Sequence, residues 1–176
     1  MDIRRVVTGS TPAGAAVVTD ERIEPITVGL MPGAEFHAIW GSDTRPSLPA
    51  DGGAPEVKTW FPPPNGFRFG VVTLGPDRPG LPAELDLAAA LAELDQNLPG
   101  MAEVLEPDHP GMHTTDTVDY VVILSGELWL ELDNGQQHVV RAGDTIVQNG
   151  TRHAWRNKSE HPCVMALALI GAARQH

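Results

Sequence analysis

Cysteine, basic residues and long apolar runs are all scarce in this sequence. Its 176 residues include one cysteine and 12 Lys and Arg against 23 Asp and Glu, for a net charge of −11. A single cysteine excludes an internal disulfide, and Cys163 lies in the apolar run CVMALALI, which indicates a buried, reduced thiol. Nucleic acid and anionic membrane surfaces need a basic face, so the charge argues against both as partners.

No apolar stretch approaches the roughly 18 residues of a membrane span, and the N-terminal MDIRRVVTGSTPAG lacks the apolar core of a signal peptide. We therefore expect a soluble, cytoplasmic protein. With 41% apolar residues the chain has an ordinary globular composition. One structural domain is expected overall. Residues 1–100 would form an N-terminal extension of strands, a Pro/Gly-rich segment and a helix packed on the core, and residues 101–176 would carry the core motifs.

Short strand-like segments separated by turns dominate the chain. The first hundred residues contain IRRVV, AAVVT, ITVGLM, EFHAIW and FRFGVVTL, and from residue 112 onward every segment is strand-like. One helix is predicted over roughly 83–98, where leucines recur at helical spacing and form a packing face before Pro99–Gly100; the leucines are Leu87, Leu91, Leu94 and Leu98. Many short strands and one helix predict an all-β sandwich or small barrel.

His113 and Asp119 are polar residues placed before and at the start of a strong strand pattern. They are six residues apart, which in a straight strand corresponds to roughly 20 Å, too far for a shared ligand. The intervening Thr and Asp residues favour a turn through local side-chain hydrogen bonds. The spacing thus permits the two side chains to converge without requiring it.

The segment HAWRN carries a second group of polar and aromatic residues. Alternation along a strand places His153, Trp155 and Asn157 on one face. An imidazole, an aromatic wall and an amide on one face are typical of a pocket. Gln148, an amide before the turn Asn149–Gly150, could also reach such a cavity. Three other histidines stand beside proline or in mixed surroundings and are expected at the surface or in loops: His37, His109 and His161.

The segment 111–157 resembles the two motifs of the cupin superfamily, in its small single-domain, cupin-2 type. The first motif contains H-x-H, a glutamate and a glycine. Four positions match it: His113, Thr115 in place of the second histidine, Asp119 in place of the glutamate, and Gly126. The second motif is matched by Gly143–Asp144, the turn Asn149–Gly150, His153 and Asn157. RRVVTG at residues 4–9 is a further weak likeness to small cupins of bacteria and fungi.

This resemblance implies a double-stranded β-helix (jelly-roll) cupin barrel with an N-terminal extension and one short helix. It implies a divalent metal, Fe, Mn, Zn or Ni, held by His113, Asp119 and His153, with the two histidines also catalytic. Neutral threonine is a poor ligand, so Thr115 marks either an open coordination position or a site that has lost its metal. The residues expected to bind the substrate are Thr115, Thr117, Gln148, Trp155 and Asn157.

Three functions follow from the resemblance. The first is a metal-dependent enzyme that dioxygenates, decarboxylates or cyclises a small aromatic, polyketide-like or carboxylic acid. The second is a small-molecule-binding cupin without metal or catalysis. The third is a metal-free isomerase of the sugar-epimerase type, which would need Tyr120, the only tyrosine, as acid, although strand alternation turns Tyr120 away from Asp119. Cupin barrels commonly pair, so a homodimer is expected, with the N-terminal strands adding to a neighbour's sheet edge.

Overall fold

The computed structural model describes residues 1–78, 80 and 84–175. It consists of three antiparallel sheets and two short helices. The first strands are β1 Ile3–Thr11, β2 Gly14–Ile23, β3 Ala34–Ser42 and β4 Phe67–Leu74. After the helices α1 Leu87–Asn97 and α2 Met101–Val104 come β5 Thr117–Ser125, β6 Glu127–Glu131, β7 Gln137–Arg141, β8 Thr145–Asn149, β9 Ala154–Arg156 and β10 Cys163–Gly171.

Two sheets share the hydrophobic core. A five-stranded sheet has the order β3-β4-β10-β5-β8, and a three-stranded sheet has the order β7-β6-β9. Strand alternation turns Val121 and Ile123 of β5 inward, where they join Leu128 and Leu130 of β6 in one buried cluster. The all-β prediction is therefore confirmed. The sheets face each other as separate layers and do not close into one hydrogen-bonded barrel.

The turn between β5 and β6 depends on Gly126. Its φ is 77°, in the left-handed region that favours glycine, and a Cβ built there would lie 2.7 Å from the carbonyl oxygen of Pro162. No larger residue fits this position without displacing backbone. The glycine therefore lets the chain pass directly from one sheet to the other.

Helix α1 begins later and packs less fully than the sequence predicts. The Asp86 side chain caps it by accepting hydrogen bonds from the backbone N–H groups of Ala88 and Ala89, and the predicted start at residue 83 lies outside the described residues. Leu94 and Leu98 are buried at 1% and 0% exposure, whereas Leu87 and Leu91 are 51% and 44% exposed. Only half of the predicted leucine face is a packing face. The four-residue α2 was not predicted.

Two further predictions for the N-terminal half are wrong. The segment ITVGLM forms no strand, because only Ile26 pairs, in an isolated bridge to Phe36, before the chain turns. His37 is completely buried within β3, although its neighbours in sequence suggested a surface position. The predicted strands EFHAIW and FRFGVVTL are confirmed in β3 and β4.

The hairpin β1–β2 forms a two-stranded sheet of its own. Most of its side chains are exposed, including Val6, Val17 and Val18. It is attached to the rest of the protein by hydrogen bonds from Arg5 Nη1 to the Ile39 carbonyl and from the Ser10 N–H to the Ala50 carbonyl, both at 2.8 Å. Among the helices in the described part of the chain, none has the length and apolar character needed to cross a membrane.

Candidate functional site

The structure brings His113 and His153 together. Their backbones form an isolated antiparallel bridge in which each N–H donates to the other's carbonyl at 2.9 Å. The two ring centroids lie 4.2 Å apart, and the ring planes are tilted by 51° to each other. The two residues are 40 positions apart in the sequence. They meet because the segment that precedes β5 pairs with the segment that precedes β9.

Backbone contacts fix the tautomer of both imidazoles. Nδ1 of His113 lies 3.0 Å from the Gly111 carbonyl, and Nδ1 of His153 lies 2.9 Å from the Thr151 carbonyl. A carbonyl oxygen only accepts, so each Nδ1 carries the proton and each Nε2 keeps a free lone pair. This is the tautomer that a metal ligand or a general base requires.

Burial keeps both rings neutral. It lowers the pKa of His153 to about 4, with a further decrease from neighbouring His113. Burial also lowers the pKa of His113, and the Gly111 carbonyl and the Glu106 carboxylate partly oppose that decrease. Near neutral pH the pair therefore offers two unprotonated Nε2 atoms, each with a free lone pair, in a partly apolar setting.

Aromatic rings and one ion pair surround the histidines. The ring centroids of Phe61 and His113 are 6.4 Å apart. Those of Trp155 and His153 are 5.7 Å apart, and these two rings meet edge to face. Arg152 donates two hydrogen bonds of 2.6 Å to the two oxygens of Glu106. Sequence reasoning missed Glu106 and Arg152; the position of Arg152 beside His153 was the one available signal.

Asp119 and Gln148 form a second polar centre on the inner face of the five-stranded sheet. They stand opposite each other in the register of β5 and β8, and they are 6% and 5% exposed. In the described structure, Oδ1 of Asp119 and Nε2 of Gln148 have no hydrogen-bond partner. Burial raises the pKa of the Asp119 carboxyl, and a hydrogen bond from Thr117 partly opposes this.

The predicted pocket threonines are both buried beside this centre. The hydroxyls of Thr115 and Thr117 lie 2.8 Å apart and bond to each other. The carbonyl of Thr115 accepts from Arg174 Nη2 at 3.0 Å, which ties the C-terminal segment to this region. A cavity of about 350 Å³ lies between β8 and the turn that joins β6 to β7, and Gln148, Thr151 and Arg152 are among its lining residues.

Asn157 has a different position from the one that strand alternation predicted. β9 ends at residue 156, and the Asn157 amide donates to the carbonyls of Leu74 and His161 at 2.9 and 2.8 Å. Its side-chain oxygen accepts from both the N–H and the hydroxyl of Ser159. These bonds occupy the whole amide, so the side chain holds the loop between β9 and β10 against the end of β4.

The donor atoms present fit a metal ion only in part. The two imidazoles have the right tautomer and proximity. Within the described residues, however, no group of three or more His, Cys, Asp or Glu side chains is arranged to hold a metal ion. The structure thus assembles His113 and His153, and among the described residues no third side chain of this kind completes a metal-binding group with them.

Comparison with known protein families identifies a match over part of the chain. Residues 102–170 match the model of the cupin domain, of the cupin-2 type. The match covers 69 of the 176 residues and shows a cupin-type domain in that part of the chain, which includes the paired histidines.

Several fungal proteins share parts of this sequence. Oryzines biosynthesis cluster protein J of Aspergillus oryzae is 43% identical over 77 residues, 41% of this chain and 43% of that protein. Phomopsin biosynthesis cluster protein C' of Diaporthe leptostromiformis is 50% identical over 48 residues, 27% and 25% of the two chains. Cupin-domain-containing oxidoreductase virC of Hypocrea virens is 39% identical over 46 residues, 26% and 24%. The matches span less than half the length of these relatives.

Solved structures are similar at a lower level. A predicted oxalate decarboxylase from Thermotoga maritima superposes with a TM-score of 0.45 and 14% identity, over 84% of this chain and 92% of that one. A cupin from Methanocaldococcus jannaschii with a double-stranded β-helix fold gives a TM-score of 0.39 and 10% identity, over 60% and 70% of the two chains.

Proposed function

We propose that this cupin is an enzyme that acts on a small, partly apolar organic substrate at the His113–His153 pair. The observation that carries the proposal is the pair itself: two neutral, adjacent imidazoles with both Nδ1 atoms bonded to backbone carbonyls and both Nε2 atoms free. Several relatives are named as oxidoreductases or biosynthesis cluster proteins, which supports an enzyme without naming a reaction. From the family resemblance, the reaction is dioxygenation, decarboxylation or cyclisation of an aromatic, polyketide-like or carboxylic acid.

In this proposal the chain's own residues position the substrate and handle a proton. Trp155 and Phe61 contact its apolar part, because their rings border the two histidines. Each Nε2 can accept a proton from the substrate, since burial keeps the imidazoles neutral. A divalent metal, Fe, Mn, Zn or Ni, would be held by His113 and His153 and would supply Lewis-acid or redox chemistry. Asp119 is left out of this proposed set because, among the described residues, no group of three or more His, Cys, Asp or Glu side chains is arranged to hold a metal ion.

The test combines metal analysis with turnover. Protein purified without added metal or chelator is assayed for bound metal, O2 consumption and CO2 release on a panel of aromatic and polyketide-like acids. We expect His113→Ala and His153→Ala each to lower turnover by about 100-fold or more, since general-base or ligand roles contribute on that scale. His109→Ala is the matched control, because its side chain is exposed and lies outside the pair. Full turnover in either site variant contradicts the proposal.

A non-catalytic binding cupin is the second candidate. The incomplete metal set favours it, since only two histidines converge. It is distinguished by saturable binding of an acid from the panel with no turnover in the presence of Fe, Mn, Zn or Ni. The sugar-epimerase alternative has no support from geometry, because Tyr120 is 53% exposed on the outward face of β5 and cannot serve as the acid inside.

We also propose a homodimer formed through the outward face of the five-stranded sheet. This face carries exposed apolar side chains that neighbour one another in the strand register: Phe69, Tyr120, Val122, Leu124, Val147 and Ile170. The outward residues of β5, β8 and β10, all of them described, are uncharged, in a chain whose net charge is −11. A second copy offers the same uncharged face, so two copies can pair there without burying like charges.

A further inference from the structure

The buried pair Asp119 and Gln148 remains without an assigned partner once Asp119 is removed from the metal set. We propose that the two side chains form a subsite for a hydroxyl group of the substrate. Asp119 accepts a hydrogen bond from the hydroxyl group, and Gln148 donates a hydrogen bond to its oxygen. This inference rests on the proposed function, because it assumes that a small organic molecule enters the domain. It assigns Asp119 to substrate recognition and leaves metal binding to the histidines.

The two unpartnered atoms belong to side chains that are more than nine-tenths buried. Leaving a buried polar atom without a partner costs about 1–3 kcal/mol, and such atoms are rare in folded proteins. Here two of them face the interior from directly opposed positions on β5 and β8. Adjacent orphaned atoms of this kind are accounted for most simply by a group that bonds to both.

The neighbouring residues are already committed to other partners. Arg68 lies in the same inward-facing row, separated from Asp119 by Leu169. Its guanidinium is held by Asp43 and donates to the Thr59 and Ser42 carbonyls, so it does not neutralise Asp119. On the other side, the Thr151 hydroxyl donates to Oε1 of Gln148 at 3.1 Å. That bond orients the amide and leaves its N–H₂ end as the free donor.

The chemistry of these atoms selects the ligand group. Oδ1 of Asp119 is an acceptor when the carboxyl is ionised, and Nε2 of Gln148 is a donor. A hydroxyl satisfies both at once, because it has one proton to donate and lone pairs to accept. A metal ion bonds to the carboxylate but repels the amide N–H₂ group, and a substrate carboxylate is repelled by Asp119. The group that fits is therefore an alcohol, phenol or enol.

Access to the subsite comes from the cavity beside β8. Gln148 lines this cavity of about 350 Å³ together with Thr151 and Arg152, a volume within the range of small-molecule sites. Arg152 holds Glu106 at the rim of the histidine pair. The cavity thus borders the subsite on its Gln148 side, and in this proposal the hydroxyl group of the substrate enters from there.

Matched probe ligands test the inference directly. Dissociation constants of phenol and anisole, which differ by one O-methyl group, are measured by ligand-observed NMR against the wild-type protein, Gln148→Met and Asp119→Asn. We expect the wild type to bind phenol about tenfold more tightly than anisole, as two buried hydrogen bonds allow. Gln148→Met keeps the side-chain shape and should lose this discrimination, and Asp119→Asn should reduce it by about threefold.

Two variants and one readout serve as controls. Gln137→Met and Asp95→Asn change the same residue types at exposed positions and should leave the discrimination unchanged. Thermal denaturation verifies folding: Gln148→Met should melt within about 4 °C of the wild type, because removing an unpartnered donor offsets the lost bond from Thr151. Metal content is measured in parallel, and Asp119→Asn should match the wild type in it.

Three results overturn the inference. The first is that the wild-type protein binds phenol and anisole with equal dissociation constants, or that it shows no saturable binding of either compound. The second is discrimination that persists in both Gln148→Met and Asp119→Asn, which would mean that the pair binds an ordered water only. The third is loss of bound metal in Asp119→Asn, which would return Asp119 to the metal site. If His113→Ala and His153→Ala keep full turnover while the discrimination stands, the proposed function fails and the subsite remains.

Discussion

The backbones of His113 and His153 exchange two hydrogen bonds, each of 2.9 Å, and this bridge positions the two rings. Because the contact is made by main-chain atoms, it does not depend on either imidazole. Replacing one ring should therefore leave the other in place. Single substitutions at this pair can be interpreted as changes in chemistry rather than in fold.

His153 should make the stability of the protein depend on acid. Its pKa falls from 6.5 in the unfolded chain to about 4 in the folded protein. Between these values the unfolded state binds a proton that the folded state does not, so the free energy of unfolding decreases as the pH decreases. This contribution is complete above pH 6.5 and is lost as the pH falls to about 4. Its size is about 3 kcal/mol, at 1.36 kcal/mol per pH unit.

The measurement is chemical denaturation from pH 4 to pH 7.5 of the wild type and His153→Gln. The variant should lack this component of the pH dependence. The free energy of unfolding of the wild type relative to the variant should therefore increase as the pH rises from 4 to 6.5. His161→Gln, at an exposed position, is the control and should follow the wild type. Parallel curves for wild type and His153→Gln would show that the folded protein does not keep His153 neutral.

Glu106 should tune the protonation of His113. Its carboxylate raises the pKa of His113 and so opposes the decrease caused by burial. Glu106→Gln removes that charge and should lower the pKa of His113 further, as measured by the pH dependence of its ring signals in NMR. Glu103→Gln, which removes an exposed carboxylate from α2, should cause no change. An increase in the His113 pKa in Glu106→Gln would contradict the electrostatic role of Glu106.

The difference between Glu106 and the histidines shows what the sequence could predict. His113 and His153 were found because they occupy motif positions of known spacing. Glu106 reaches the site through Arg152, 46 residues away, and nothing local to either residue indicates that pairing. Asp119 was found by the same motif, but whether its carboxylate meets the histidines depends on where β5 places it. Motif matching identifies residue types and leaves convergence to the three-dimensional fold.

Local sequence patterns also predicted where strands lie, but they were less informative about which residues on those strands are buried. FRFGVVTL was predicted correctly over residues 67–74 because its apolar run is bounded by turn residues. His37 was misassigned to the surface because its burial depends on elements packed over β3, which its neighbours in sequence do not specify. ITVGLM has strand-forming residues, but the turn at residues 29–33 ends its pairing after one bridge.

Asn157 should contribute to stability rather than to substrate binding. Its amide makes hydrogen bonds with three different residues across the loop between β9 and β10. Asn157→Ala removes hydrogen bonds to two partly buried carbonyls and should lower the free energy of unfolding by about 1–2 kcal/mol. Urea denaturation measures this, with the exposed Asn149→Ala as control at about 0.5 kcal/mol or less. If Asn157→Ala weakens ligand binding at unchanged stability, the original pocket assignment is the correct one.

The apolar outward face should control self-association. Val147 is 55% exposed on β8 within this face, and Val139 is 36% exposed on β7 of the other sheet. Val147→Lys places a charge within the proposed interface of both subunits, and it should convert a dimer to a monomer in sedimentation analysis. Val139→Lys introduces the same charge elsewhere and should leave the mass unchanged. A wild-type protein that sediments as a monomer at micromolar concentration, or a Val147→Lys dimer as stable as the wild-type dimer, contradicts the assignment. In the latter case the hairpin β1–β2 is the next surface to test, because its Val6, Val17 and Val18 are also exposed.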